Sequence, residues 1–295
     1  MDSNFPGLLN DTTQLKLIEC PRDAMQGWHN FIPTEKKIEY INQLLKVGFH
    51  SIDFGSFVSP KSIPQMADTK IVVEQLNIEN TQTKLLAIIA NLRGAQDAAS
   101  FDKISYLGFP FSISPTFQMR NTHSTIEQSY EVVKEIKNIC DKNAKELVVY
   151  ISMAFGNPYG DLYNEDVVLE WIQKLVKEGV NIISLADTVG VGKPSEISSL
   201  VKKVIEVFPE IETGVHLHST NLNWKEKTNA AFENGCMRFD GALKGIGGCP
   251  MAGDSLVGNM DTELMIPFFK GLGLLPQLNE TEFKEASRMA STIFI

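Results

Sequence analysis

The feature that most constrains the fold is a regular alternation of apolar runs with amphipathic segments along nearly the whole chain. Apolar and β-branched runs predict strands at 15–20, 50–54, 85–90, 104–109, 146–153, 181–186, 213–218 and 238–242. Helical spacing of apolar residues follows each of them, at 34–48, 70–77, 95–100, 124–143, 165–178, 194–207, 222–234 and 262–272. Eight such pairs over about 250 residues predict an α/β fold, the (β/α)8 TIM barrel. A doubly wound open sheet is the alternative, although it more naturally uses about five to seven strands.

Length, composition and charge limit the domain count and the kinds of partner. A chain of 295 residues with 43% hydrophobic residues can bury the core of one barrel. We assign that catalytic barrel to residues 15–275, with 1–14 as an N-terminal extension and 276–295 as a helical extension packed on the barrel. A net charge of −9 argues against nucleic acid or an anionic membrane as the main partner.

The cysteines and the lack of export signals bear on cellular location. Cys20, Cys140, Cys236 and Cys249 form no CxxC pair and no disulfide-like rhythm, which favours a reducing compartment. The sequence has no signal peptide and no apolar run of about 18 residues. It therefore predicts a soluble cytoplasmic protein, in which the first three cysteines are structural.

Polar residues collect at one end of the predicted strands. In a (β/α)8 barrel the chemistry occurs at the C-terminal ends of the strands. The residues at those ends are Arg22 and Asp23, Asp53, Asp187, His216 and His218, and Cys249. We therefore expect the active site at this end of the barrel.

Two histidines point to a metal site. His216 and His218 are spaced i, i+2 in a predicted strand, so both imidazoles lie on one face; half-buried strand histidines are the alternative. Asp23 would add a carboxylate, although an aspartate after Pro21 also suits a simple turn. Two imidazoles with oxygen ligands and no cysteine pair favour Mg²⁺ or Mn²⁺ over structural zinc. The other histidines, His29, His50 and His123, are interpreted as loop or surface residues.

Three further residues near this end are candidates for catalytic or ligand-binding roles. Arg22 either is solvated or binds a carboxylate or a developing enolate oxygen beside the metal. Cys249 stands between Gly248 and Pro250 in a glycine-rich loop, where an inert and a reactive thiol are equally good interpretations. Asp187 either forms a turn or orients a ligand.

Several motifs occur in one order along the chain. They are Pro21-Arg22-Asp23 with Gln26, SFVSPK at 56–61, PQMAD at 64–68, NLRG at 91–94, DTVGVG at 187–192, HLH at 216–218, GGCP at 247–250 and GN at 258–259. With these motifs the chain resembles the 3-hydroxy-3-methylglutaryl-CoA (HMG-CoA) lyase family, which belongs to the metal-dependent TIM-barrel lyases. Related Claisen-type synthases share the Arg-Asp and HxH features but differ at SFVSPK, PQMAD and GGCP.

The resemblance implies a reaction and a set of site residues. The reaction is retro-Claisen cleavage of (S)-3-hydroxy-3-methylglutaryl-CoA, an acyl-CoA, to acetyl-CoA and acetoacetate by a carbon–carbon lyase, and the implied assembly is a homodimer. The implied metal ligands are Asp23, His216, His218 and Asn259. The implied catalytic residues are Arg22, Cys249, His216 and Asp187, and the substrate contacts come from Arg22, Gln26 and Asp53.

Some positions depart from the family pattern around the predicted substrate mouth. Asp53 stands where the family has glutamate, Met153 and Asn157 stand where cysteines are common, and residues 24–28 differ as well. These departures leave a related 3-hydroxyacyl-CoA open as the substrate. Two other functions remain alternatives, a condensing enzyme that joins acetyl-CoA to a 2-oxo acid and a catalytically silent barrel that binds metal or acyl-CoA.

Overall fold

The strands form a closed parallel barrel. A computed structural model describes residues 14–248, 257–275 and 278–295. The strands are β1 (Lys16–Glu19), β2 (Ser51–Ser56), β3 (Lys84–Ile88), β4 (Ile104–Ser112), β5 (Glu146–Ser152), β6 (Ile182–Asp187), β7 (Glu212–Leu217) and β8 (Arg238–Gly241). Each strand pairs with the next along the chain, and β8 closes on β1 with Lys16 opposite Arg238. The predicted (β/α)8 barrel is confirmed, and the open sheet is excluded.

The helices surround the barrel and include two that the periodicity does not predict. They are α1 (Pro21–Gln26), α2 (Thr34–Leu45), α3 (Thr69–Gln75), α4 (Leu92–Ala99), α5 (Pro115–Thr122), α6 (Ile126–Lys142), α7 (Glu165–Lys177), α8 (Pro194–Val207), α9 (Trp224–Phe232), α10 (Thr262–Gly271) and α11 (Glu280–Ile293). The unpredicted helices, α1 and α5, are short and carry no clear apolar period in their sequences. Both begin with proline, whose fixed φ suits the first helical position.

The barrel interior is filled by side chains rather than open. Its apolar part consists of Leu86, Tyr106, Val148, Tyr150 and Ile182. Gly214 of β7 leaves room for a long neighbour, because a Cβ there would lie 2.7 Å from Cδ of Arg238. The Arg238 side chain therefore occupies interior space that a larger residue on β7 would take.

The N-terminal, or lower, end of the barrel carries three ionic side chains. Glu212 accepts a hydrogen bond from Lys16 Nζ and another, at 3.0 Å, from Arg238 Nη1. We call Lys16, Glu212 and Arg238 the lower cluster. His50 lies beside it in the bend that precedes β2 and is half-buried, so its interpretation as a loop residue is confirmed, although its Nδ1 is buried. Burial, with the charges of Arg238 and Lys16, lowers the pKa of His50 to about 4.

The last helix, α11, packs on α2 on the outside of the barrel. The Gln43 amide donates to Glu282 Oε2 at 2.6 Å, and the Phe294 ring meets Trp28 edge-on at 5.3 Å. Residues 1–13 and 276–277 lie outside the described residues, so the boundaries of both extensions stay predictions. Within the described ranges, every helix is too short or too polar to span a membrane.

Candidate active site

Helix α1 places Arg22 and Asp23 at the C-terminal, or upper, end of the barrel. It begins directly after β1, so these two residues lie in a helical turn rather than in a loop. Both side chains are buried and line a cavity. Arg22 Nη1 donates to Asp23 Oδ1 at 2.9 Å, and Gln26 Nε2 donates to the same oxygen at 2.7 Å. Arg22, Asp23 and Gln26 therefore come together as one hydrogen-bonded group.

Asp53 of β2 reaches the same guanidinium in spite of its shorter side chain. Its Oδ2 accepts from Arg22 Nε at 3.0 Å and from Arg22 Nη2 at 2.6 Å. Burial raises the pKa of Asp53 to about 6, although the Arg22 charge opposes that shift. For Asp23, burial is outweighed by Arg22, His216 and His218, which hold its pKa well below the usual range.

The two histidines predicted as metal ligands point at each other. Their Nε2 atoms are 3.3 Å apart. His216 Nδ1 lies 3.1 Å from Asp240 Oδ2, and His218 Nδ1 lies 2.8 Å from the Val257 carbonyl oxygen. Because each Nδ1 faces an acceptor, the proton of a neutral imidazole lies on Nδ1 and its Nε2 presents a lone pair. Such outer contacts orient histidine ligands in metal sites.

Asn259 joins the glycine-rich loop to this group. Its amide nitrogen donates to Asp23 Oδ2 at 2.7 Å and to the Ile246 carbonyl at 2.9 Å. Its Oδ1 is therefore the atom left for a metal. Gly247 has φ +118°, and a Cβ there would lie 2.4 Å from the Asn259 amide nitrogen. Glycine at 247 is thus required for the amide of Asn259 to reach Asp23.

The charge and donor atoms of this region fit a divalent cation. We call the following residues the upper cluster: Arg22, Asp23, Asp53, His216, His218 and Asp240. Its three carboxylates are buried with a single guanidinium. The donor atoms of Asp23, His216 and His218 lie within 4.8 Å of one another. A cation between them would relieve the repulsion of the facing lone pairs and the excess negative charge.

Asp187, at the end of β6, makes its contacts outside the cavity. Its carboxylate accepts from the Gly192 N–H at 3.0 Å and from Lys227 Nζ at 2.6 Å, and it does not line the cavity. Lys227 also donates to the carbonyls of His218, at 2.8 Å, and Gly190, at 3.0 Å. Lys227 therefore ties Asp187 to the backbone that carries His218.

The cavity above these groups has a volume of about 370 Å³. Hydroxyl and amide side chains from the strand ends line it, and the C-terminal end of α5 forms part of its wall. The polar residues in the lining include Gln26, Ser56, Asn91, Arg120, Asn121, His123, Ser152 and Thr188. Apolar side chains, among them Ile88, Phe117 and Tyr150, complete the lining, so the cavity suits a ligand with both polar and apolar parts.

Two departures from the family pattern lie away from the cavity. Met153 is fully buried, and its N–H donates to Thr188 Oγ1 at 2.9 Å. Asn157 binds its own loop, since its Oδ1 accepts from the Asp161 N–H at 3.1 Å. Neither residue lines the cavity, so the expectation that both surround the substrate mouth is wrong.

The cysteines divide into described and undescribed residues. Cys20, Cys140 and Cys236 are buried and free. The predicted catalytic Cys249 falls in residues 249–256, which lie outside the described residues. Its role therefore stays a prediction from the sequence.

Sequence reasoning misses three features of the site, although two of them leave a signal. Lys227 shares the buried face of α9 with Ala230 and Ala231, an unusual place for a lysine. Asp240 is an acidic residue in the short buried strand β8. The end of α5 gives no signal of its role, because only the barrel closure brings it over the cavity.

Comparison with known proteins gives the family. The family model described as HMGL-like matches residues 14–290. The mitochondrial hydroxymethylglutaryl-CoA lyase of Mus musculus is 31% identical over 92% of this chain and 83% of its own length. The cytoplasmic 3-hydroxy-3-methylglutaryl-CoA lyase of Homo sapiens is 32% identical over 92% of this chain and 73% of its own.

Solved structures agree with these relatives. An HMG-CoA lyase from Acinetobacter baumannii, in complex with coenzyme A and 3-methylmalate, has a TM-score of 0.89 and 30% identity, covering 97% of this chain and 93% of its own. The hydroxymethylglutaryl-CoA lyase from Pseudomonas aeruginosa has a TM-score of 0.87 and 26% identity, covering 95% and 93%. The resemblance predicted from the motifs is confirmed: the chain belongs to the HMGL-like family, whose named relatives here are carbon–carbon lyases.

Proposed function

We propose that this protein is a divalent-metal-dependent lyase that cleaves (S)-3-hydroxy-3-methylglutaryl-CoA to acetyl-CoA and acetoacetate. The observation that carries the proposal is the facing Nε2 pair of His216 and His218 beside Asp23 and Arg22. Membership of the HMGL-like family supports the same reaction class. The proposed metal ligands are Asp23, His216, His218 and Asn259, and Mg²⁺ or Mn²⁺ suits their oxygen and imidazole donors.

Arg22 is proposed to stabilise the negative charge that develops on the thioester oxygen. A bound Mg²⁺ or Mn²⁺ would acidify the substrate hydroxyl as a Lewis acid. Three contacts, to Asp53 and Asp23, use Nε and one hydrogen on each terminal nitrogen of Arg22. One hydrogen on each terminal nitrogen is left for the substrate. Asp53 holds the guanidinium still, which keeps these donors ready for the transition state.

The other proposed catalytic residues differ in what supports them. Asp23 and His216 line the cavity, but the one lone pair of His216 is proposed for the metal, so Asp23 is the candidate for the base that takes the hydroxyl proton. Asp187 is proposed to act as a positioning residue, because Gly192 and Lys227 occupy its carboxylate. Cys249 is proposed to protonate the carbanion that forms when the carbon–carbon bond breaks, on the strength of the GGCP motif alone.

The experiment that tests the function measures acetoacetate released from HMG-CoA by the purified protein. We expect release with Mg²⁺ or Mn²⁺, loss of release with a chelator, and recovery when metal is restored. A panel of related 3-hydroxyacyl-CoAs, and acetyl-CoA with 2-oxo acids, serves as the control for substrate and reaction. Faster turnover of another acyl-CoA would overturn the substrate, and condensation would overturn the reaction.

Assembly and location stay predictions. A homodimer is proposed only from the family resemblance, and sedimentation of the purified chain would test it. The relatives include both mitochondrial and cytoplasmic lyases, so the cytoplasmic location rests on the sequence argument.

A further inference from the structure

His216 lies between two groups of donor atoms, and only one of them belongs to the metal site proposed above. Its Nε2 faces His218, whereas its Nδ1 faces Asp240. On this second side, Cys20 Sγ, a ring nitrogen of His216 and a carboxylate oxygen of Asp240 lie within 4.8 Å of one another. We call Cys20, Asp240 and the Nδ1 side of His216 the inner group.

The inner group is fixed by the closure of the barrel. Asp240 lies opposite Ile18 in the pairing of β8 with β1, and the Cys20 N–H donates to the Gly241 carbonyl at 2.8 Å. Cys20 and Asp240 are 0% and 2% exposed. Backbone pairing therefore holds Cys20 and Asp240 near each other, and His216 joins them from β7, which pairs with β8.

One atom of the inner group lacks a partner. Asp240 Oδ2 contacts His216, but Asp240 Oδ1 is buried and has no hydrogen-bond partner within the described part of the chain. A buried carboxylate oxygen without a partner is costly, because it has lost its water without replacement. Arg238 Nε and Nη2, two residues earlier on β8, are also buried without a partner among the described residues, so the orphan oxygen points to a ligand only together with the neighbouring Cys20 and His216 donors.

We propose that the inner group binds a soft divalent cation, Zn²⁺ or Cd²⁺, through Cys20 Sγ, His216 Nδ1 and the Asp240 carboxylate. Thiolate, imidazole and carboxylate together are a zinc ligand set, whereas Mg²⁺ and Mn²⁺ prefer oxygen. On binding, the thiol proton leaves to solvent and the imidazole proton moves from Nδ1 to Nε2. The cation also offsets the excess carboxylate charge of the upper cluster.

The two sites exclude each other because they share His216. A neutral imidazole has one lone pair, so a cation at Nδ1 leaves a proton on Nε2. His216 then has no lone pair for the site that Asp23 and His218 share. A soft cation in the inner group therefore displaces Mg²⁺ or Mn²⁺ and inhibits the enzyme.

The test is a Cd²⁺ titration of the full chain, followed by the ultraviolet charge-transfer band of cadmium thiolate. We expect the band in the unchanged protein and its loss in Cys20→Ala, with Cd²⁺ binding at least about tenfold weaker. The matched controls are Cys249→Ser, which removes the thiol of the glycine-rich loop, and Cys236→Ser. Cys236 is as buried as Cys20 but contacts only the carbonyls of Thr213 and Arg238.

Three outcomes would overturn the proposal: no band in the unchanged protein, a band that survives in Cys20→Ala, or a band lost in Cys249→Ser. Cys20→Ser, checked by thermal unfolding, replaces Cys20→Ala if the latter does not fold. Excess Mn²⁺ should abolish the band in the unchanged protein, and a persistent band contradicts competition for His216. Only this competition rests on the proposed function, so its failure is distinguishable from absence of the inner site.

Discussion

The upper and lower clusters lie at opposite ends of one barrel and have opposite charge imbalances. In the upper cluster three carboxylates surround one guanidinium, and the side chains of Arg22, Asp23 and Asp53 are 9%, 6% and 1% exposed. In the lower cluster two cations share Glu212, whose side chain is 27% exposed. Solvent can screen Lys16 and Glu212 at the lower end, although Arg238 is 1% exposed, whereas all three carboxylates of the upper cluster are buried. An excess of buried carboxylates, rather than buried charge as such, therefore marks the end that suits a cation.

Two neighbouring carboxylates show how strongly a charged partner determines the pKa of a buried carboxyl group. Glu19 and Asp23 are both buried at the upper end of β1. Asp23 has the Arg22 guanidinium beside it and a lowered pKa, whereas Glu19, among the described residues, accepts only from Thr262 Oγ1 and the Leu243 N–H. Burial raises the pKa of Glu19 to about 8. Equal burial thus gives opposite shifts, according to whether a positive charge is near.

The largest expected effect follows removal of the upper cluster's metal-binding charge. Asp23→Asn should lower turnover of HMG-CoA by a factor on the order of 10³, because it removes a proposed metal ligand and a partner of Arg22. Steady-state kinetics at saturating Mn²⁺ measures the effect. Asp68→Asn is the matched control, since Asp68 is also buried and ion-paired, with Lys37, but away from the cavity. Equal losses in both variants would mean that the loss follows from breaking any buried ion pair and is not specific to the upper cluster.

The next effect distinguishes the role of the Cys249 thiol from that of the proposed metal ligands. Cys249→Ser should lower turnover by a factor on the order of 10² while Mn²⁺ affinity stays the same, as expected for loss of a proton donor. Kinetics and calorimetry on one preparation measure both quantities, with Cys140→Ser as the control. Full turnover in Cys249→Ser would rule out the thiol as the donor.

A comparison of two lysines tests how burial changes the contribution of an ion pair to stability. Lys227→Met leaves the Asp187 carboxylate buried and unpaired, so the free energy of unfolding should fall by about 3–5 kcal/mol. Lys16→Met in the lower cluster removes a part-exposed pair and should change it by about 0–1 kcal/mol. Urea denaturation measures both. Similar values for the two variants would mean that solvent screening does not distinguish the two ends.

The last effect is a pH dependence at Glu19, which is small at any one pH step. Its pKa is about 8 in the folded protein and 4.5 in the unfolded chain, so the folded state retains the proton between these values and stability falls as pH rises. Glu19→Gln lacks this loss, and its advantage should grow by about 1.4 kcal/mol for each pH unit across that window. Urea denaturation of both proteins across the window measures it, and a constant difference would contradict the shift.

The parts of the molecule that follow from local pattern could be predicted from the sequence. Strand periodicity gives the barrel, and the i, i+2 spacing of His216 and His218 gives two imidazoles on one face. The contacts of Lys227 with Asp187 and of Asp240 with His216 join distant parts of the chain. They depend on how helices and strands are placed around the closed barrel, which no local pattern encodes.

Asp53 illustrates the same limit within a family. The sequence shows, at position 53, a carboxylate one methylene shorter than the family's glutamate. The structure shows that the shorter side chain still makes two bonds to Arg22, because α1 places the guanidinium directly over β2. Whether a side chain contacts its partner depends on where the partner lies, so side-chain length alone does not determine the contact.

The central claim is that His216 and His218 hold a divalent metal through their Nε2 atoms. Pulsed electron paramagnetic resonance of Mn²⁺ bound to the full chain tests it directly, because the spectrum records nitrogen nuclei that ligate the ion. We predict couplings from two imidazole nitrogens, with one coupling lost in His218→Ala. A bound Mn²⁺ that shows no imidazole coupling, or couplings unchanged in His218→Ala, would contradict the claim.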